Sequence, residues 1–293
     1  MKIMYSYFAR ILFFINFIFL STFCVSAFCK DKPPLADHFF VVLKDSDYQA
    51  LAHSSLLKEL GFLEFHKTVS IGERHWTGTY LSGESFYIEF FSDKTEVRQM
   101  EPQDLLAHSG LGFVADYGSL IEKVPEAFPE ADSQRVLKAL SGANGNYAHF
   151  AVSKELMFWV YEAPLKENKK PKTRAQQILD LRARTKDPFK GAYPLDDLEI
   201  LQLKLSADTH TDCATSFKQM GFSSKPSTNG VQYTGTGGQR LVVTEGNTGP
   251  FGIQKATFSL KGGNLNWPVG VEKSVGSLKF KRLSPTQLEI TFF

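Results

Sequence analysis

Cysteine is scarce in this chain. Only three occur among 293 residues, and Cys24 falls inside the N-terminal apolar stretch, which excludes a disulfide-stapled scaffold and a cysteine-rich metal module. An excess of one charge is also lacking. Thirty-three Lys and Arg face thirty-one Asp and Glu, a formal net charge of +2, so there is no electrostatic reason to invoke nucleic acid. Neither a phosphate loop nor a serine nucleophile elbow occurs. Gly235-Thr236-Gly237-Gly238 has no helix after it and reads as a hairpin turn instead of a dinucleotide fingerprint. Asp45-Ser46-Asp47 begins like a calcium loop but lacks the later glycine and glutamate, so helix capping explains it better. His210, Asp212 and Cys213 resemble parts of a cysteine nucleophile site, yet sequence neighbours at a helix start point in different directions.

What is present begins with a leader. Lys2 and Arg10 precede an uncharged stretch rich in Phe, Ile and Leu over residues 11–29, and Val25-Ser26-Ala27 supplies the small residues of a cleavage site. We expect residues 1–27 to be a bacterial-type secretory signal peptide, placing the mature chain in the periplasm or outside the cell. An uncleaved anchor is the alternative, because the stretch approaches the ~20 residues that span a bilayer. After cleavage no stable membrane insertion is expected. Losing Lys2 and Arg10 brings the formal net charge from +2 to zero. Cys29 and Cys213 then remain, and either a disulfide in an oxidising compartment or two separate thiols is open.

The mature chain divides into related halves. Residues 38–43 form an apolar run of strand length, Asp45-Ser46-Asp47 follow as a turn, and apolar residues recur at helical spacing from Tyr48 to Leu60, with Gly61 as the stop. Residues 65–71, 76–81 and 86–91 read as strands, the last two joined by a hairpin at Ser82-Gly83-Glu84-Ser85. A strand at 198–205, a turn at 208–212, a helix from Cys213 to Met220 and strands at 232–234 and 240–245 echo this order. Gly61-Phe62 and Gly221-Phe222 lie 160 residues apart, a period of half the mature chain. Each half has a weaker companion: strands at 110–116, 147–152 and 156–162 with helical material at 119–140, then strands at 252–260, 276–280 and 287–292. We therefore expect an α+β protein with an N-terminal lobe over 37–163, a basic linker over 164–194 and a C-terminal lobe over 195–293. Eight basic residues between 166 and 188 suit a solvated connector helix better than a membrane-surface patch, because no apolar face accompanies them.

The βαβββ spacing can bring His38, on the first strand, to Glu89, on the last. A divalent ion needs several N or O donors and an open position for substrate, and His38 with Glu89 would supply two. The structural alternatives are a His38 that hydrogen-bonds a carbonyl and a Glu89 that pairs with Arg74 or Lys67.

The run Asp37-His38-Phe39-Phe40-Val41-Val42-Leu43, with Tyr87-Ile88-Glu89-Phe90, Trp159-Val160-Tyr161-Glu162 and the closing Ser277–Phe293 segment, resembles an uncharacterised bacterial family of glyoxalase-like proteins. These belong to the vicinal oxygen chelate superfamily of glyoxalases and extradiol dioxygenases. The resemblance implies tandem βαβββ modules in cupped antiparallel or mixed sheets, each around a metal held by first and last strands. It places His38 and Glu89 at ligand positions and adds Glu162. Gly110-Leu111-Gly112-Phe113 resembles the strand that usually ends in histidine, but Phe113 stands there, leaving His108 as a loop candidate. The position matching His38 in the second lobe falls near Glu199 or Ile200, so that lobe reads as structural or substrate-shaping.

Two functions follow. One is a divalent-metal enzyme of lyase or isomerase type acting on a small substrate with vicinal oxygens, in which Glu89 or Glu162 moves a proton. The other is a non-catalytic binding protein whose cupped sheet, lined by Phe40, Trp76, Tyr80, Tyr87 and Trp159, holds a small molecule. Fold analogy does not choose between them.

Overall fold

The computed structural model describes residues 33–71, 74–83, 86–94, 108–114, 146–151, 155–162, 194–235, 238–261 and 265–293. The expected leader, Cys29, the helical stretch at 119–140 and the connector up to residue 193 lie outside the described residues. Among the described residues, no helix is long and apolar enough to cross a membrane.

The first half builds β1 (Leu35–Leu43), α1 (Asp45–Ala52), α2 (Ser55–Leu60), β2 (Phe62–Ile71), β3 (Arg74–Ser82) and β4 (Tyr87–Ser92), then β5 (Ser109–Val114), β6 (Asn146–Ala151) and β7 (Met157–Glu162). These strands form one mixed sheet in the order β2-β3-β4-β1-β5-β7-β6. The second half builds β8 (Leu195–Leu205), α3 (Ala207–Gln219), β9 (Ser223–Ser227), β10 (Gly230–Thr234), β11 (Arg240–Glu245), β12 (Gly252–Leu260), β13 (Glu272–Val275), β14 (Leu278–Ser284) and β15 (Gln287–Thr291). Its order is β13-β14-β15-β12-β8-β11-β10-β9. The molecule is thus α+β, mostly strands in two cupped mixed sheets: β1–β4 and β8–β11 with their helices each form a βαβββ module, and in each sheet the first strand of that module meets the first strand of a second group, β1 against β5 and β8 against β12.

The crossover helices decide strand direction. A parallel neighbour needs a crossover, usually a helix: β1 pairs parallel with β4 across α1 and α2, and β8 pairs parallel with β11 across α3. Where the described chain has no helix between β12 and β13, the last strand, β15, pairs antiparallel with β12.

Several local expectations need correction. The single helix from Tyr48 to Leu60 is two, because Ser54 breaks the run and its hydroxyl accepts the Leu57 N–H at 3.1 Å as the N-cap of α2. Residues 208–212 are helical instead of a turn, since α3 starts at Ala207. Asp45 and Asp47 do not cap α1; Lys44 occupies that position. Asp45 instead accepts from the Ser92 hydroxyl at 2.8 Å, and Asp47 accepts the Ser277 N–H at 2.9 Å, tying the β13–β14 turn to α1. Strand β9 escaped the hydrophobic pattern because it is an exposed polar edge containing Pro226.

Alternation along each strand sends one set of side chains inward. Phe39, Val41, Ile88, Phe90, Leu111, Phe113 and Phe158 from the first sheet join Leu201, Leu203, Phe258 and Phe292 from the second in one buried cluster. Phe39 lies 5.5 Å, centroid to centroid, from Phe292, and Phe86 lies 5.5 Å from Phe258. Leu51, Leu57 and Leu60 of the helices join the same cluster. Cys213 is fully buried on α3 with a free thiol, and burial, with Asp212 beside it, holds its pKa well above the ordinary thiol value.

Candidate functional site

The opposite face of the first sheet is unlike its core face. Phe40, Met157 and Trp159 form a second, separate buried cluster there, flanked by Val42 and Phe91. Alternation puts His38 beside them on β1 and Tyr87 and Glu89 on β4. His38 is the register partner of Tyr87, and Phe40 that of Glu89. Tyr80 on β3 is the other register partner of Glu89. Trp76 donates its indole N–H to the Tyr80 hydroxyl at 2.7 Å. His38, Glu89, Phe40, Trp76, Tyr80, Tyr87 and Trp159 are therefore brought together.

The corresponding face of the second sheet carries polar and self-paired groups. Gln287 bonds Glu199 at 2.7 Å, and Lys255 pairs with Glu289 at 3.2 Å.

His38 is held on every side. A register shift between Ala36 and His38 makes Asp37 the extra residue of a β-bulge, which sets the Asp37 carboxylate against the neighbouring imidazole. Asp37 Oδ1 lies 2.7 Å from Nδ1, and the Trp159 indole N–H donates to Nε2 at 2.9 Å. The ring stacks on Tyr87 at 4.3 Å with 9° between planes. Beneath it lies Gly112, where any Cβ would collide with the imidazole, and Gly110 makes the same room for Phe40, Met157 and Trp159. The bulge itself is clamped from the second sheet: the Gln239 side chain accepts the Ala36 N–H at 2.8 Å and donates to the Ala36 carbonyl at 2.7 Å.

These contacts assign the tautomer. An indole N–H can only donate, so Nε2 accepts and Nδ1 carries the proton toward Asp37. Burial disfavours the imidazolium, but the charge and hydrogen bond of Asp37, helped by Glu89, raise the His38 pKa above its ordinary value. A second proton at Nε2 would face the Trp159 N–H, so protonation requires the indole to turn away.

Glu89 is 8% exposed. Burial pushes its pKa up to about 7 and Asp37 adds to the rise, while His38 and a hydrogen bond from Tyr87 oppose it. Burial, with Glu89 beside it, also raises the Tyr80 pKa, so this phenol stays protonated.

The other expected residues are placed differently. His108 is exposed, and its carbonyl accepts the Val42 N–H at 3.0 Å, four residues along β1 from His38, so it does not join the cluster. Phe113 faces the core against Phe158, Phe217 and Phe222, so a histidine at that position would not have faced His38. Glu162 is the register partner of Asn146, and its side chain lies outside the described residues. Lys67 pairs with Glu64 at 2.7 Å instead of with Glu89. Asp37 was visible in the sequence beside His38, but nothing there signalled the bulge. Gln239 lies 203 residues from Ala36 and gave no sequence signal.

The arrangement of the described residues does not fit a divalent ion. Both His38 nitrogens are engaged, Trp159 stands where a metal would approach Nε2, and Asp37 holds Nδ1. Among the described residues no group of three His, Cys, Asp or Glu is disposed to hold a metal.

A family of unknown function, DUF5829, matches residues 36–142. No curated protein matches the chain. Similar solved structures include 2,2',3-trihydroxybiphenyl 1,2-dioxygenase from Sphingomonas wittichii strain RW1, at 9% identity and TM-score 0.43 over 87% of this chain and 88% of that one. BphC, a halotolerant catechol dioxygenase, is similar at 10% identity and TM-score 0.36 over 78% of this chain and 68% of that one. A xylose isomerase-like TIM barrel/4-hydroxyphenylpyruvate dioxygenase fusion protein is similar at 10% identity and TM-score 0.39 over 74% of this chain, which spans only 33% of the fusion.

Proposed function

We propose that this is an exported small-molecule binding protein that holds its ligand against the aromatic face of the first sheet without a metal ion. One observation carries the reading: the Trp159 N–H on His38 Nε2. That contact closes the position a metal would use and converts the histidine into a wall of the cup. Phe40, Tyr80, Tyr87 and Trp159 supply apolar surface, and Glu89 is the polar group among them, the pattern of a ligand site. The competing reading is a metal enzyme acting on vicinal oxygens. It is favoured by the position of His38 and Glu89 on adjacent first and last strands, and it requires Trp159 to swing off His38.

Calorimetric titration of the purified protein with Mn²⁺, Fe²⁺ and Zn²⁺, beside titration of chelator-treated protein with the neutral aromatic probe tert-butylbenzene, separates the two. The expected outcome is probe binding that quenches tryptophan fluorescence, with no stoichiometric metal site. Stoichiometric metal uptake abolished by His38→Ala would overturn it.

A further inference from the structure

We propose that the ligand of the aromatic face is an organic cation, an ammonium ion carrying apolar substituents, with Glu89 as its counter-charge. The inference rests on the binding reading above and adds the chemical class of the ligand.

The geometry centres on Glu89. Its register partners are Phe40 on one side and Tyr80 on the other, and Tyr87 and Phe91 stand two residues before and after it on the same face of β4. A carboxylate is thus ringed by four aromatic side chains. A neutral apolar ligand would gain from the rings and leave the carboxylate desolvated and uncompensated; an anion would be repelled by Glu89 and by Asp37. A substituted ammonium ion satisfies both features, because ring faces attract cations and the carboxylate neutralises them.

Charge accounting within the chain points the same way. Asp37 is paired with His38 at 2.7 Å and Glu64 with Lys67 at 2.7 Å. Glu89 has the Tyr87 hydroxyl and the more distant His38 ring, and no lysine or arginine acts on it among the described residues. His38 is already paired with Asp37, so it is not a counter-ion dedicated to Glu89. The chain already places a cation on this face, since Lys67 Nζ lies 5.8 Å from the centre of the Tyr80 ring. That ammonium belongs to Glu64, so the position beside Glu89 is left for a ligand's positive group.

The test uses phenyltrimethylammonium and its uncharged counterpart of equal shape, tert-butylbenzene, titrated at pH 8 with tryptophan fluorescence and thermal stability as readouts. The quaternary ion does not titrate, so the ligand charge is fixed. The cation is expected to bind on the order of tenfold or more tighter than the neutral probe. Glu89→Gln should bring the cation and tert-butylbenzene to similar affinity, and Glu89→Asp, which keeps the charge, should retain part of the preference. Equal affinity for both probes would overturn the cation assignment and leave the binding reading standing. So would a cation preference unchanged in a folded Glu89→Gln protein. Binding of neither probe would overturn both.

Discussion

Trp159 and Asp37 together decide which nitrogen of His38 carries the proton, and each can be removed separately. Trp159→Phe keeps an aromatic ring but deletes the N–H that faces Nε2 at 2.9 Å. We expect a loss of about 1 kcal/mol of stability and a rise in the His38 pKa, because the opposing donor is gone while Asp37 stays; the histidine ring resonances in an NMR pH titration report it. Glu89 gives a separate prediction. Burial raises its pKa from 4.5 to about 7, so the folded protein holds a proton that the unfolded chain has already lost. The Glu89 contribution to stability is therefore full below pH 4.5, falls as the pH rises to 7, and is lost above it. The loss amounts to about 3 kcal/mol. Glu89→Gln has no proton to lose and can still accept from Tyr87. Urea unfolding from pH 4 to 8 should show this loss in the parent and its absence in the variant. Parallel pH profiles would count against it.

At the scale of elements, β5 and the start of β1 position the site. Gly112 is needed for space and not for a special backbone angle, since a Cβ there would meet the imidazole. Gly112→Ala should cost about 1–3 kcal/mol, and most of that penalty should vanish in a His38→Ala background, a coupling that a double-mutant cycle measures. Two independent, additive losses would show that the clash lies elsewhere. Most elements were legible because hydrophobic periodicity reflects burial: Phe39, Val41 and Leu43 of β1 and Leu201, Leu203 and Leu205 of β8 face the core. The Ser54 break, the polar edge strand β9 and the β1 bulge were not legible. In each, a side-chain hydrogen bond or strand pairing overrides a weak local pattern. For the candidate site, His38, Glu89 and the aromatic residues could be read from two-residue alternation on strands that turned out adjacent. The Asp37 bulge and the Gln239 clamp depend on contacts that no local pattern encodes.

For the whole molecule, what matters is that the two sheets have one interior. The described residues between 33 and 293 belong to one compact unit, and Phe39, Phe86, Phe258 and Phe292 interlock within it. The site on the far face of β1 therefore depends on the second sheet twice: through the core beneath Phe39 and through Gln239 on Ala36. Phe258→Ala removes a fully buried ring from the second sheet and should destabilise by about 3–5 kcal/mol. Because the core is shared, the loss should appear equally in both sheets. Trp76 and Trp159 report on the first sheet and Trp267 on the second, so Trp267→Phe and a Trp76→Phe/Trp159→Phe double variant give one probe for each. Each probe is measured against its own Phe258 parent, because Trp159→Phe itself lowers stability, and Phe258→Ala should lower the two midpoints by the same amount. If it lowered the second-sheet midpoint and left the first-sheet midpoint in place, the sheets would be separately stable, and the anchoring of the β1 bulge by Gln239 would have to be optional for the site.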